Sequence, residues 1–278
     1  MAGTGPADGP AAAVVAVIGG GPAGLIAAET LAAEDGLEVV LVEATAAPGR
    51  KLLLAGRGGL NLTHSEPLDV FLTRYGDSAG PIIDAVRRFP PEDLRVWCEG
   101  LGEETFVGSS GRVFPRSLRA NRLLEAWLAR IEQIGVRTLC STRWTGWGDD
   151  DAHLLLETPS GPTAIRADAA VLTLGGASWP GTGSNGDWVQ TLESSGVDVA
   201  PLRASNCGLD ITWSQVFAER FAGAPVKNIG VACGDNSLRG ELMVTEHGLE
   251  GGAAYGLSRV VRAQLDAAGE AIDAAQRM

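Results

Sequence analysis

A chain of 278 residues with 45% hydrophobic side chains is long enough to bury a large core and to form more than one domain. Its 22 basic residues against 34 acidic ones give a formal net charge of −12, which argues against nonspecific binding to nucleic acid or to an anionic membrane. Only Lys51 and Lys227 are lysines, an arginine bias that reflects overall composition and not a binding surface.

Residues 1–10 lack a positively charged n-region, so 1–13 reads as a disordered tail and not as a signal peptide. Residues 11–33 carry a single charge, Glu29, yet Gly19 to Pro22 and Gly24 crowd the middle and no aromatic belt flanks the stretch, so no membrane span is expected. Residues 14–18 are a β-branched apolar run of the kind buried on both faces of a parallel sheet. Gly19, Gly21 and Gly24 follow in G-x-G-x-x-G spacing. The first glycine allows a tight turn, the second lets backbone approach a pyrophosphate, and the third packs a helix closely on the strand. Pro22 and Ala23 open that helix, expected to reach about residue 34, and its first N–H groups and positive dipole end point at the phosphates. A second apolar strand, 37–42, ends in Glu43, near the distance of about 20 residues expected for the acid that holds a ribose hydroxyl. Strand, turn, helix, second strand and acid together predict a dinucleotide site. The carboxylate favours FAD or NAD over NADP, because it would repel a 2′-phosphate.

The next segment, 44–67, is rich in glycine and carries Arg50, Lys51, Arg57, Asn61, Thr63 and His64. Leaving the carboxyl end of the second strand, it is placed to meet phosphate or the negative charge of a reduced flavin; a surface loop with scattered charges is the competing reading. Its string GRKLLLAGRGGLNLTH resembles the signature G-R-K-x-L-x-S-G-x-G-R-C-N-x-T of the YhiN-like predicted flavoproteins. These are NAD(P)/FAD-dependent oxidoreductases with a glutathione-reductase-like FAD-binding fold. Gly49, Arg50, Lys51, Leu53, Gly56, Gly58, Asn61 and Thr63 match, while Ala55, Gly59 and Leu60 replace the serine, arginine and cysteine. No flavin-linked thiol is expected here, and Arg57 is the candidate for the displaced guanidinium.

Residues 68–110 read as mostly helical and carry no evident chemistry. Leu118, Leu123, Leu124, Trp127, Leu128 and Ile131 then fall at helical spacing, Gly135 closes the helix, and 136–144 reads as a strand. In glutathione-reductase-like flavoproteins a helix and short strand in this place bring backbone groups to the adenine, so the resemblance nominates Arg143 and Trp144. Gly111, Arg112, Phe114 and Pro115 resemble the family's G-x-x-F-P turn near the flavin, with a turn merely packed by Phe114 as the alternative. Asp149 to Asp151 marks a hairpin turn before strands 154–158 and 164–167, and His153 reads as a solvated surface histidine. Another buried strand, 169–174, ends in Gly175-Gly176. Its T-L-G-G resembles the segment that returns two-domain flavoproteins to the dinucleotide fold. The residues that follow, through Ser178, Thr182, Gly183 and Ser184, resemble the family pattern G-G-x-S-x-P-x-T-G-S-x-G-D.

From residue 196 short extended pieces at 197–202, 208–212 and 226–233 suggest a smaller β-rich domain, where the resemblance places substrate specificity. Residues 240–259 resemble the family's G-E-x-x-x-T-H-x-G-x-S-G-P-A, with Glu246 at the histidine position and His247 after it. These two are the candidates for acid–base catalysis, set against a helix-capping or surface role. Cys98, Cys140, Cys207 and Cys233 are far apart with no C-x-x-C, so no metal site and no local disulfide is expected, and a reducing cytoplasm is the simplest home.

The expectation is therefore an α/β protein with a Rossmann-like FAD-binding domain at 14–195, and an inserted β-rich domain with the start of a helical segment at 196–278. Flavoproteins of this architecture return to the first domain with a strand and a G-D or G-E motif, which is absent before Met278, so the chain reads as incomplete at its C-terminus. The ADP half would be held by Gly19, Gly21, Pro22, Ala23, Gly24, Glu43 and Trp144. The flavin side falls to Arg50, Lys51, Gly58, Asn61, Gly175, Gly176, Thr182 and Gly183. The expected activity is FAD-dependent oxidoreduction, with NAD(P)H as reductant and a small unsaturated or carbonyl-containing molecule as acceptor. The alternatives are a non-catalytic nucleotide-binding fragment and an FAD-dependent RNA-modifying protein, the latter opposed by the acidic charge. Neither a nucleic-acid nor a membrane partner is expected, and the oligomeric state is not indicated.

Overall fold

The computed structural model describes residues 12–55, 59–76, 80–150, 152–178 and 180–269. Arg57, Gly58 and the N-terminal tail through residue 11 lie outside the described residues. The chain divides into two compact units, one ending at Val199 and one beginning at Ala200.

The first unit starts as the apolar runs require. Strand β1 (Ala13–Ile18) leads through the glycine turn into α1 (Pro22–Ala32), where proline at the first helical position needs no N–H partner, and then into β2 (Leu37–Val42). Then come α2 (Arg50–Ala55), β3 (Thr63–His64), α3 (Leu68–Thr73), α4 (Gly80–Arg88), α5 (Pro91–Gly100), β4 (Thr105–Val107) and β5 (Arg112–Pro115). The unit continues with α6 (Ala120–Gln133), β6 (Arg137–Leu139), β7 (Arg143–Trp147), β8 (His153–Thr158), β9 (Gly161–Arg166), β10 (Ala169–Leu172) and α7 (Trp188–Ser194). A parallel sheet runs in the order β10-β1-β2-β6, and β7-β8-β9 and β3-β5-β4 form two smaller antiparallel sheets.

Alternation along β2 decides the layering. Val39 and Leu41 point to a cluster with Leu25 of α1 and with Leu124, Trp127 and Ile131 of α6. Val40 and Val42 point the other way, with Ala16 and Ile18, onto Trp144, Leu154 and Leu156 of the β7-β8-β9 sheet. The parallel sheet is thus covered by helices on one face and by a β-meander on the other. Each fully buried leucine in these clusters contributes roughly 1.5–3 kcal/mol.

One polar knot ties the helical layer together. Glu29 of α1 accepts hydrogen bonds from the indole N–H groups of Trp127 (2.7 Å) and Trp97 (3.2 Å) and pairs with Arg130 at 3.2 Å. The Arg130 guanidinium also lies 5.7 Å over the Trp97 ring. A charge in the middle of an apolar helix is tolerated here because two donors and a cation meet it.

Several elements differ from the expectation drawn from sequence. The polar segment after Glu43 contains a helical turn, α2, and residues 105–107 are a strand within a region expected to be helical. Leu118 is not on the α6 face: it sits in the preceding turn at φ 55° and is 49% exposed, so the helix begins two residues later at Ala120. The expected strand 136–144 is broken at Cys140 to Thr142, where Ser141 takes φ 50° and the chain passes from one sheet to the other. Strand β10 is shorter than expected and not buried on both faces, since it lies at the sheet edge with Leu172 37% exposed.

The second unit is an antiparallel sheet in the order β11-β14-β13-β12, made of β11 (Leu209–Asp210), β12 (Pro225–Cys233), β13 (Asn236–Val244) and β14 (Gly248–Glu250). Helix α8 (Gln215–Phe221) lies between β11 and β12 in sequence, and α9 (Gly252–Ala267) follows β14. Leu242 of β13 packs with Ala253 and Ala254 of α9, a contact close enough that a Cβ on Gly240 would lie 3.2 Å from the Ala253 Cβ. Residues 197–202 form no strand.

Candidate functional site

At the carboxyl ends of β1, β2 and β10 the first unit has a cleft of about 560 Å³, within the range of small-molecule sites. Its floor is the glycine turn. Gly19 takes φ 108°, and a Cβ there would meet the Thr173 carbonyl at 2.5 Å. The Thr173 hydroxyl donates to the carbonyls of Ile18 and Gly19, both at 2.8 Å, and so ties the end of β10 to the turn. A Cβ on Gly24 would fall 1.8 Å from the Gly19 carbonyl oxygen, so this position sets how closely α1 approaches β1. Gly21 differs: a Cβ there would meet nothing within 4 Å, because it faces the open cleft. Gly19 thus serves the turn and Gly24 the helix packing, while Gly21 leaves open space at the cleft.

Glu43 is held rigidly. Its Oε2 accepts from the Gly20 N–H at 2.8 Å, and its Oε1 accepts from the Thr45 N–H at 2.7 Å and the Thr45 hydroxyl at 2.6 Å. Carboxylate oxygens have lone pairs beyond these three bonds, so the group retains acceptor capacity for a ribose hydroxyl. Gly49, at φ 75°, donates to the Gly20 carbonyl at 2.8 Å and starts α2 beside the turn. That places Arg50 and Lys51 on the cleft wall, where the Lys51 ammonium donates to the Ser178 hydroxyl at 2.5 Å.

The rest of the lining comes from the segment after β10, from β7 and from α7. Ser184 donates its hydroxyl to the Gly176 carbonyl at 2.8 Å, and a Cβ on Gly183 would lie 3.0 Å from the Thr45 methyl. Arg143 of β7 stands 4.0 Å from the Asp187 carboxylate, which also accepts from the Asn185 amide. Trp144 is buried against Trp147 in a T-shaped pair with centroids 4.8 Å apart. The indole N–H groups of Trp144 and Trp188 have no hydrogen-bond partner, a cost of about 1–3 kcal/mol each. Glycine backbone open to the cleft and cations on its wall fit an elongated anionic cofactor such as FAD.

The cleft gathers Gly19, Gly21, Pro22, Ala23 and Glu43 from the first motif, Arg50 and Lys51 from the second, and Trp144, Gly175, Thr182 and Gly183 from later segments. Gly24 lies behind the turn in its packing role, and Asn61 and Gly176 are not on the lining, although Gly176 accepts the Ser184 bond. Glu246 and His247 are in the second unit, exposed on the turn between β13 and β14, where the His247 N–H donates to the Thr245 hydroxyl at 3.3 Å. His64 is a clip: Nε2 donates to the Ser110 carbonyl at 3.0 Å while Nδ1 accepts from the Glu66 N–H at 3.2 Å. His153 pairs on the surface with Asp150 at 2.7 Å, a bond that holds the aspartate below its ordinary pKa. Thr45, Thr173, Asp187, Trp188 and Thr191 escaped the sequence reading. Asp187 had a signal, since it is the aspartate of the G-S-x-G-D pattern, whereas Trp188 and Thr191 reach the cleft only because α7 packs on β7.

Cys140 lies near this wall, and burial followed by the Glu43 carboxylate pushes its thiol pKa up. Cys98, on the buried face of α5, is raised further, to about 12, by burial and by Glu103 and Glu99. Both are protonated at neutral pH, which does not favour nucleophilic chemistry, and Cys98 is buried in packing.

Residues 13–269 match the HI0933-like protein Rossmann domain. The 3-dehydro-bile acid delta(4,6)-reductase of Clostridium scindens is 24% identical over 249 residues, covering 88% of this chain and 59% of that protein. The ribosomal RNA dihydrouridine synthase of Escherichia coli is 26% identical over 247 residues, covering 87% of this chain and 59% of that protein. This chain thus spans about 59% of the length of these curated relatives. Among solved structures, THI4 of Thermovibrio ammonificans aligns at a TM-score of 0.44 and 15% identity, covering 76% of this chain and 71% of that one. With its glycine turn, its cleft and a match over nearly its whole described length, the chain belongs to the HI0933-like Rossmann-domain family, a family of FAD-dependent oxidoreductases.

Proposed function

We propose that this chain is the FAD-holding part of a reductase that takes hydride from NAD(P)H and delivers it to a small unsaturated or carbonyl-containing substrate. The observation that carries the reading is the cleft at Gly19 and Gly21, whose lining includes a fixed Glu43 and the cations Arg50 and Lys51. First-turn N–H groups of α1 and the Gly21 backbone would meet the pyrophosphate, and Glu43 the adenosine ribose. Arg50 and Lys51 would offset negative charge on the phosphates or the reduced ring. Bound flavin supplies hydride transfer, which no side chain can supply. Thr173 holds the turn in register, and the β7 wall excludes water from one side of the cleft.

The names of the relatives support the acceptor class. A delta(4,6)-reductase and a dihydrouridine synthase both, by name, add hydrogen to an unsaturated substrate. A small acceptor is preferred to RNA because a net charge of −12 opposes a phosphate backbone. His247, with Glu246 beside it, is the candidate proton donor in the second unit. Replacing His247 with Gln should lower turnover while flavin content stays intact, and unchanged turnover would remove it from the mechanism. Four free cysteines are consistent with a reducing cytoplasm as the compartment.

The purified chain should carry, or take up, a yellow chromophore that bleaches anaerobically on adding NADH or NADPH. A colourless, folded protein that takes up no added FAD would overturn the proposal. A yellow protein that neither nucleotide bleaches would remove NAD(P)H as the reductant.

A further inference from the structure

Helices α3 and α4 sit against each other, and neither has a fully buried residue. Their apolar side chains face water instead. Val70 of α3 is 49% exposed and Ile82 of α4 50%, and Phe89, whose N–H still bonds to the Ala85 carbonyl at 3.0 Å, is 43% exposed. Ile82, the exposed Ala85 and Phe89 stand at i, i+3 and i+7, so they form one stripe along the outer side of α4. A helix of nine residues gains too little from its own hydrogen bonds to persist in water, and its stability comes from burying such a stripe.

The charges beside the stripe indicate what covers it. At about 100° per residue Asp84 and Arg88 lie one turn apart on the same flank of the stripe. Asp84 pairs with Arg87 at 3.3 Å, both side chains being exposed, and its carboxylate keeps acceptor capacity for a second cation. If a second copy of α4 lies antiparallel, turned about an axis between Ala85 and Val86, Ile82 meets Phe89 of the other copy. Arg88 then comes within one residue of the level of the other copy's Asp84, and the two-fold axis repeats both contacts. With its acid in the first half and its base in the second, the helix is complementary to itself. A lipid surface is the poorer match, because the polar side of an interfacial helix is basic, whereas α4 places an acid there and the chain carries a net charge of −12.

We propose that α4 is a self-association face through which two copies of this chain pair antiparallel about a two-fold axis. The seam is Ile82, Ala85 and Phe89, closed along one edge by two Asp84–Arg88 pairs. It is short, so the pairing is expected to be weak, in the micromolar range.

The test is sedimentation velocity of the purified chain from about 1 to 200 μM, a range that brackets such an affinity. The mass should rise from the 28.7 kDa of one chain toward twice that. Ile82→Glu sets an unpaired charge in the seam and should weaken pairing at least about tenfold. Asp84→Arg and Arg88→Asp each bring like charges together across the axis, and each should be mainly monomeric where the wild type is half dimeric. A one-to-one mixture of these two variants should restore the dimer, since the basic helix of one meets the acidic helix of the other. Pairs within a single helix cannot produce that restoration. A wild type that stays at 28.7 kDa throughout overturns the proposal, whether or not it floats with phosphatidylserine vesicles. So does a dimer that survives Ile82→Glu, or a pair of charge variants that associate as well alone as mixed. Should Ile82→Glu lose its melting transition, the mixing experiment decides alone.

Discussion

The glycine turn separates space from function one residue at a time. A Cβ on Gly24 would collide with the Gly19 carbonyl at 1.8 Å, so Gly24→Ala should push α1 away from β1, cost about 1–3 kcal/mol and lower flavin content, as read from a thermal melt and the chromophore absorbance. Gly21→Ala has open space around it and should leave the melting temperature nearly unchanged while weakening FAD about tenfold or more, because the methyl occupies the room the phosphate needs. Equal effects of the two substitutions on stability would contradict the division of roles. Cys98 gives a prediction with a definite sign. Its thiol shifts from an ordinary 9.0 to about 12 in the folded chain, so the unfolded chain loses its proton first as pH rises. The contribution is fully present below pH 9.0 and is lost as pH climbs toward about 12; removing the thiol by Cys98→Ala should flatten that part of the stability curve. At this scale the sequence shows the three glycines and Glu43 through spacing alone. It does not show Trp188 or Thr173, whose roles depend on which neighbour they face.

Among the elements, α1 has two tasks: its first turn faces the cleft and its far half is anchored by Glu29. Replacing Glu29 with Ala strands the Arg130 guanidinium and two indole N–H groups among α1, α5 and α6. The expected loss is about 2–3 kcal/mol, below the 3–5 typical of a fully buried pair because the Arg130 side chain is 29% exposed. A denaturant midpoint checks it, and a loss below about 0.5 kcal/mol would mean that water replaces the carboxylate at no cost. Apolar runs identified β1 and β2 correctly because both are central strands. The same kind of run misled for β10, since an apolar strand at a sheet edge reads in sequence like one at the centre, and its position is set by pairing with β1. Leu118 misled for a related reason. Helical spacing extends past the helix whenever a turn residue happens to be apolar, and here φ 55° places it in that turn.

For the molecule as a whole, a cofactor bound only by the folded state should raise its stability by about 2.7 kcal/mol at a hundred times its dissociation constant. Added FAD should therefore raise the melting temperature of the transition that belongs to the unit ending at Val199, with riboflavin, which lacks the ADP half, giving a much smaller shift. No shift with FAD would contradict the cleft's assignment. Among the described residues no helix is long and apolar enough to cross a membrane.

The sequence by itself determined the dinucleotide half, because strand, turn, helix and acid are consecutive there and each glycine answers to a local constraint. It also determined the family, through short motifs whose residue types survive in order. Only the tertiary structure decided what stands opposite. Thr173, Asp187 and Trp188 lie far along the chain from Gly19, and their approach to it is set by parallel pairing of β10 with β1 and by packing of α7 on β7, contacts that no local spacing encodes.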